Sequence, residues 1–220
     1  MFNVAIDGPA GAGKSSISKA VAQKLNFIYV DTGALYRTVA LYLVDNNIEP
    51  SDEKAVVAAL PKIKVEMKHT ESGQRMFLCG DDVTDKIRTP EVSMAASTSS
   101  GLLMVREFLF SLQTEMAEKY NVIMDGRDIG TVVLPNAQVK IFLTASAECR
   151  AKRRFAEFEA AGDKTTFEEV LADVEKRDFQ DSNREVRPLK PAEDSIIVDS
   201  TDFSFDKTVE KITALIGARM

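Results

Sequence analysis

Gly8-Pro9-Ala10-Gly11-Ala12-Gly13-Lys14-Ser15 fits the pattern G-x-x-x-x-G-K-[ST], and its surroundings fit as well as its letters. Phe2 to Ile6, just before it, reads as a short buried strand. After it, Ile17, Val21 and Leu25 recur at i, i+4 and i+8, the stripe of an amphipathic helix. A strand, a glycine turn and a helix N-terminus form the context in which this pattern cradles phosphate. Gly8, Gly11 and Gly13 permit positive φ and, lacking Cβ, let the backbone close on an anion. Loop N–H groups and the helix dipole add positive potential at the same point. Lys14 is placed to reach the β- and γ-phosphates of a nucleotide, and the Ser15 hydroxyl to ligate Mg²⁺.

At 220 residues and 45% hydrophobic, the chain can bury a full core and is expected to form one domain with appendages. Its net charge of −6 provides no global basic field of the kind a nucleic-acid binder carries, so cations gathered locally must hold any anionic ligand. Cys79 and Cys149 stand far apart, no C-x-x-C occurs, and His69 is the single histidine. That pattern argues against a zinc site and suits a reducing compartment. No signal-peptide pattern precedes the first strand, and no apolar run approaches the roughly 18 residues needed to cross a bilayer. A soluble cytoplasmic protein, with no membrane or nucleic-acid partner and acting as a monomer, is the expectation.

Outward from the loop, strands and helices alternate. Phe27 to Val30 is a second strand ending on Asp31, and Leu35, Val39 and Leu43 begin another helical stripe. Ser51 is expected to cap a short helix reaching Leu60. Ile63 to Lys68 and Arg75 to Cys79 instead alternate apolar with polar, with Glu71-Ser72-Gly73 as a turn between them. This is a half-exposed antiparallel hairpin, an insertion at about residues 61–88. Beyond Pro90, Val105, Phe108, Leu109, Leu112 and Met116 follow helical periodicity. Val122 to Met124, leading to Asp125, then Val139 to Leu143 and Ser195 to Val198 complete five strands, and a closing helix carries Val209, Ile212, Leu215 and Ile216. The fold class is therefore α/β: a P-loop NTPase fold, with a five-stranded parallel sheet, helices on both faces, a small β-rich insertion and a helical lid. Ligands of such sheets sit at the carboxyl ends of the strands, where Asp7, Asp31, Asp125 and the Gly8 loop fall. Thr144 falls there too and reads as a plain helix cap.

The arginines are the second informative feature. Arg37, Arg106, Arg127, Arg177 and Arg184 each lie where the chain borders that crevice. Arg177, Asp181 and Arg184 share a helical face with Val170 and Val174 upstream, a face running from core into cleft; a surface salt-bridge ladder is the competing reading. Arg150-Ala151-Lys152-Arg153-Arg154 follows the fourth strand. Such a cluster is ordinarily a solvated face, but here it is placed to stand over the phosphates and neutralise charge on a transferring phosphoryl group. A glycine break at Ala161-Gly162-Asp163 and a capping box at Thr165-Thr166-Phe167-Glu168 then make a helix–break–helix lid. His69 lies beside the hairpin turn, so no obvious general base is at hand. A phosphate acceptor needs none, because its second pKa is about 6.

These blocks resemble the bacterial cytidylate (CMP/dCMP) kinases, which are nucleoside monophosphate kinases. The resemblance covers nearly the whole chain: Ile6 to Pro9 into the loop, Asp31 to Arg37, Asp125 to Val133, and Arg177-Asp178 through Asp181 to Asn183-Arg184. It implies ATP as donor and CMP or dCMP as acceptor, with Mg²⁺. It further implies ATP contacts from Gly8, Pro9, Ala10, Gly11, Ala12, Gly13, Lys14, Ser15 and Ser16. Catalytic roles fall to Lys14, Arg127, Arg150, Arg153 and Arg154. Around CMP stand Thr32, Tyr36, Arg37, Ser97, Arg106, Arg127, Asp128, Arg177, Asp181 and Arg184. Within that set Ser97, Arg106 and Asp128 would read cytosine, Arg177 and Asp181 the pentose, and Arg37, Arg127 and Arg184 the acceptor phosphate. Asp125 is an outer-sphere candidate for Mg²⁺. The implied division is a core of about 1–33, 119–150 and 168–220, a monophosphate-binding region of about 34–118, and a lid of about 151–167. Thr32 stands where the family commonly has serine, which preserves the hydroxyl, and 155–164 match loosely. The N-K-x-D of GTP-dependent switches and the LSGGQ-like signature of transport ATPases are absent. A non-catalytic nucleotide-binding module, and a uridylate-preferring or shikimate-type kinase, are the remaining alternatives.

Overall fold

This computed structural model describes residues 1–70, 73–160 and 162–220. In chain order, β1 (Asn3–Asp7) leads through the glycine loop to α1 (Lys14–Leu25), then β2 (Ile28–Asp31), α2 (Thr32–Asp45) and α3 (Glu53–Ala59). Next come β3 (Val65–Thr70), β4 (Gly73–Leu78), β5 (Asp81–Asp82), α4 (Pro90–Ser99) and α5 (Leu103–Lys119). The chain returns to the sheet as β6 (Val122–Gly126) and β7 (Val139–Thr144), forms α6 (Ala147–Ala160) and α7 (Phe167–Asn183), and closes with β8 (Ile196–Asp199) and α8 (Phe205–Gly217). No helix among the described residues is long and apolar enough to cross a membrane.

The main sheet has the order β2-β6-β1-β7-β8, all parallel. Both faces of the central strands β1, β6 and β7 are buried, as their near-continuous apolar composition requires, while the edge strand β8 leaves Ile197 exposed. Val4, Ile6, Ile123 and Ile141 pack toward Ile17 and Val21 of α1 and Val209, Ile212 and Ile216 of α8. Ala5, Val30, Val122 and Met124 form the opposite layer with Ile129 and Val133. Pleating thus splits one apolar run between two cores. A third core joins α2, α4 and α5 to the apolar side of β3 and β4.

The insertion is a separate antiparallel sheet, β3-β4-β5, in which Val65 pairs with Leu78 and Lys68 with Arg75. Its third strand, of two residues, is too short to carry a periodicity and was not expected. Residues 71 and 72 of the expected turn lie outside the described residues, as do residue 161 of the glycine break and the side chain of His69. The helical stretch beyond Pro90 is two helices broken at Ser100-Gly101-Leu102.

Three caps differ from the expected residue. Asp52, not Ser51, accepts from Ala55 N at the start of α3. Thr166 and Glu169 form the capping box of α7, one place along from Thr165 and Glu168. Ser146 Oγ accepts from Cys149 N ahead of α6, while the carbonyl of Thr144 takes the N–H of Ser200. Residues one or two places apart offer equivalent side-chain acceptors in all three places, so the packing register of the helix makes the choice.

Candidate active site

Parallel register sets Ile6 and Asp31 against Asp125, and Asp7 against Gly126, so three strands deliver Asp7, Asp31 and Asp125 to one edge. The glycine loop leaves β1 at that edge. Gly8 has φ 148°, and a Cβ there would lie 1.9 Å from the Leu143 carbonyl oxygen, which is no place for a side chain. Gly11 and Gly13 also take positive φ. Behind the loop, Asp7 accepts from the N–H groups of Ile129 at 2.8 Å and Gly130 at 2.7 Å. This fastens the π-helical turn Ile129–Val133 beside β1. Burial raises the Asp7 carboxyl to about 6, although those two N–H groups pull the other way.

Lys14 is buried, with Nζ donating to the Pro9 carbonyl at 2.7 Å. Burial first, and the nearby Arg127 guanidinium second, lower its ammonium to about 7. Ser15 Oγ and Tyr29 Oη both donate to Asp125, each at 2.9 Å. Burial, then the Asp31 charge, raises the Asp125 carboxyl to about 6. A serine hydroxyl beside a carboxylate is a hard-oxygen donor pair suited to Mg²⁺, which keeps waters and substrate phosphates among its ligands. No cluster of three or more acidic, histidine or cysteine side chains that would cage a cation occurs among the described residues.

In front of the loop lies a cleft of about 690 Å³. Thr32, Tyr36, Arg37, Ser97, Arg106, Arg127, Asp128, Arg177, Asp181 and Arg184 all line it, together with Ala10, Gly11, Gly13, Lys14, Ser15, Ser16 and Asp125. Gly8, Pro9 and Ala12 are not part of its wall. Cations enter from α2, α5, the end of β6 and α7, elements far apart in sequence. Carboxylates aim them. Arg37 Nη2 donates to Asp31 Oδ2 at 2.9 Å, and Asp31 also caps α2 through Ala34 N. Arg127 Nε donates to Asp181 Oδ2 at 2.7 Å, and Arg184 Nη2 to the other oxygen of Asp181. Burial pushes the Asp181 carboxyl up, but Arg127 and Arg184 outweigh it and hold the group below the ordinary aspartate value. Arg177 lies 3.9 Å from Asp173. The Nε of Arg37 is buried without a partner, a donor left for an occupant of the cleft.

At the far end Arg106 is 2% exposed. Its Nε donates to the Ser100 carbonyl at 2.6 Å and its Nη1 to Asp128 Oδ2 at 2.8 Å, while its guanidinium stands 5.6 Å from the centre of the Tyr36 ring. Arg187, which sequence reasoning missed, reaches to 3.9 Å from the same Asp128 oxygen.

The basic run 150–154 divides. Arg153 lines the cleft, with Nη2 donating to the Ser200 carbonyl at 2.9 Å. Arg154 instead pairs with Asp173 at 3.3 Å, off the cleft wall. Arg150, expected over the phosphates, is 4% exposed beneath the glycine loop. It donates to the Ala145 carbonyl at 2.8 Å and the Ala10 carbonyl at 3.0 Å, and holds both oxygens of Asp178. A guanidinium committed to four acceptors braces the loop from behind. Arg150→Ala is accordingly expected to lower unfolding stability by about 2–3 kcal/mol, less than for a fully buried pair because Asp178 is partly solvated. An unchanged denaturant midpoint would count against that brace.

Sequence reasoning also missed Asp7, Tyr29, Asp178, Gln74 and Gln113 as site residues. Gln74 of β4 accepts from the Asp31 N–H at 2.8 Å and donates to the Asp31 carbonyl at 3.1 Å, tying the insertion to the cleft. Asp7 and Asp178 fall within the Ile6 to Pro9 and Arg177-Asp178 blocks, which gave them no role of their own, and Tyr29, Gln74 and Gln113 belong to no spaced motif.

A phosphate loop after the central strand of a β2-β6-β1-β7-β8 parallel sheet, opening on an arginine-lined cleft, defines a P-loop kinase. The profile described as cytidylate kinase matches residues 4–218, and the chain belongs to that family. A cytidylate kinase of Caldicellulosiruptor bescii is 52% identical over 97% of this chain and 95% of its own length. One of Lactobacillus johnsonii is 47% identical over 98% of this chain and 94% of its own. A solved structure of an uncharacterized protein from Eubacterium ventriosum covers 100% of both chains at TM-score 0.55 and 13% identity, a likeness of fold alone.

Proposed function

We infer that this protein transfers the γ-phosphoryl group of ATP to the phosphate of CMP or dCMP, giving CDP or dCDP and ADP. Beyond family membership, one observation carries the reading: Arg37, Arg127 and Arg184 converge with Lys14 on a single cleft although 170 residues separate the outermost of them. Two polyanions brought end to end repel each other, and fixed cations aimed at the meeting point remove that barrier without reorganising.

In this reading Lys14 and the loop N–H groups hold the ATP phosphates, with Arg153 above them. Arg37, Arg127 and Arg184 clamp the attacking phosphate, which is itself anionic near neutral pH and requires no general base. Ser97, Arg106 and Asp128 read the base, since cytosine presents an amino donor at N4 and acceptors at N3 and O2. Uracil reverses the first two, setting a carbonyl against the Asp128 carboxylate. Arg177 and Asp181 hold the pentose hydroxyls. Phe203, from the loop after β8, and Phe205, the first residue of α8, give the donor base an apolar wall. Mg²⁺ would be held by Ser15, with Asp125 in its outer sphere, and would neutralise charge on the phosphates. Residues 34–118 with their β-rich insertion form the acceptor side, and 151–167 the lid that excludes water. The protein works as a cytoplasmic monomer.

A coupled assay with ATP and Mg²⁺, run across the nucleoside monophosphates and shikimate, tests this directly. ADP release is expected with CMP and dCMP. Silence with both, alongside turnover of GTP alone or of shikimate, would replace the assignment.

A further inference from the structure

Gln113 lies on α5 two turns after Arg106, on the same face of the helix. It is 1% exposed and lines the cleft, yet its Nε2 has no hydrogen-bond partner. The Tyr36 hydroxyl is near enough to feel that amide as a donor, but the pair falls short of hydrogen-bond distance and angle. A buried amide donor left open is unfavourable, and its place on the wall of a binding cleft makes the occupant the source of the missing acceptor.

The donor inventory shows which acceptor. Arg106 commits Nε to the Ser100 carbonyl and Nη1 to Asp128, which leaves Nη2 as its uncommitted nitrogen. Cytosine presents two ring acceptors, N3 and O2. The two N–H bonds of a single nitrogen diverge, so Nη2 aligns well with one of two neighbouring acceptors, and a donor from a second group completes the pair. Gln113 supplies an uncharged amide N–H on the same helix face, without adding a further cation beside Arg106 and Arg187.

We propose that Gln113 is a specificity-determining residue whose side-chain amide donates to the 2-oxo group of the acceptor pyrimidine. This rests on the reading of the cleft as a CMP site. The 2-oxo group is common to cytosine and uracil, so Gln113 selects pyrimidines as a class, while Arg106 and Asp128 separate the two pyrimidines. In the free protein the Nε2 donor is unpartnered, so removing it costs the fold no hydrogen bond from that nitrogen.

Steady-state kinetics and thermal unfolding of Gln113→Leu test the assignment. The melting temperature is expected to equal or exceed that of the wild type. KM for CMP and dCMP should rise about ten- to hundredfold while KM for ATP stays unchanged. The CMP:UMP preference ratio should also be preserved. A CMP analogue lacking the 2-oxo group should lose that same factor in the wild type and nothing further in the variant, closing a thermodynamic cycle on one contact. Gln113→Glu, of equal size but with no donor, should show the same KM increase if the leucine variant folds poorly. An unchanged KM for CMP, an analogue penalty as large in the variant as in the wild type, or a collapsed CMP:UMP ratio would each overturn the proposal. Wild-type protein inert toward CMP would instead remove the reading beneath it, before any variant is made.

Discussion

Lys14→Ala is expected to reduce kcat about a thousandfold, because the ammonium neutralises charge that develops on the transferred phosphoryl group in a site closed to water. The structure adds a dependence on pH. Burial and Arg127 lower Lys14 to about 7 in the free protein, so at pH 8.5 it is largely neutral. Phosphates entering the loop favour the ammonium and restore its proton. ATP binding should therefore take up close to one proton at pH 8.5, where the carboxylates and phosphates of the site are already ionised. Calorimetry in buffers of different ionisation enthalpy reads that number, and Lys14→Met should abolish the uptake. Equal proton uptake in the variant would place the linkage on another group. Folding carries the opposite sign. Between about 7 and the ordinary 10.5, the unfolded lysine holds a proton that the folded one has lost, so this group adds stability as pH rises.

Arg106→Met carries the second large effect, in two separable parts. It removes a cytosine donor, which should raise KM for CMP about a hundredfold and leave KM for ATP near its wild-type value. It also strands Asp128, 4% exposed, with Arg187 at 3.9 Å as its nearest remaining cation. Breaking a buried pair from one side costs about 3 kcal/mol of stability. Adding Asp128→Asn removes the stranded charge. The double variant should regain most of the unfolding stability and none of the CMP affinity. Equal losses toward CMP and ATP would take Arg106 out of the base pocket.

Both experiments probe side chains whose type was legible early and whose state was not. The phosphate loop declares itself through eight consecutive residues. The antiparallel insertion shows in the alternation of Ile63 to Lys68 and Arg75 to Cys79, because a half-exposed strand must alternate and a buried parallel one need not. Cap positions sit at the limit of such reading. Ser51 and Asp52, or Thr165 and Thr166, carry interchangeable acceptors, and helix packing picks between them.

The sequence by itself determined the five strands of the main sheet, the anion-binding turn and most of the cations, since each is written within a few turns of chain as a period or a spacing. Tertiary structure decided what each cation does. Arg150 is taken by Asp178, 28 residues on, and held beneath the loop, whereas Arg153, one turn away, reaches the cleft. Asp7 grips N–H groups 122 and 123 residues distant. Gln113 is singled out by a donor that nothing meets. Pairing energy and burial depend on distances through space, which parallel crossovers impose between segments with no local pattern in common.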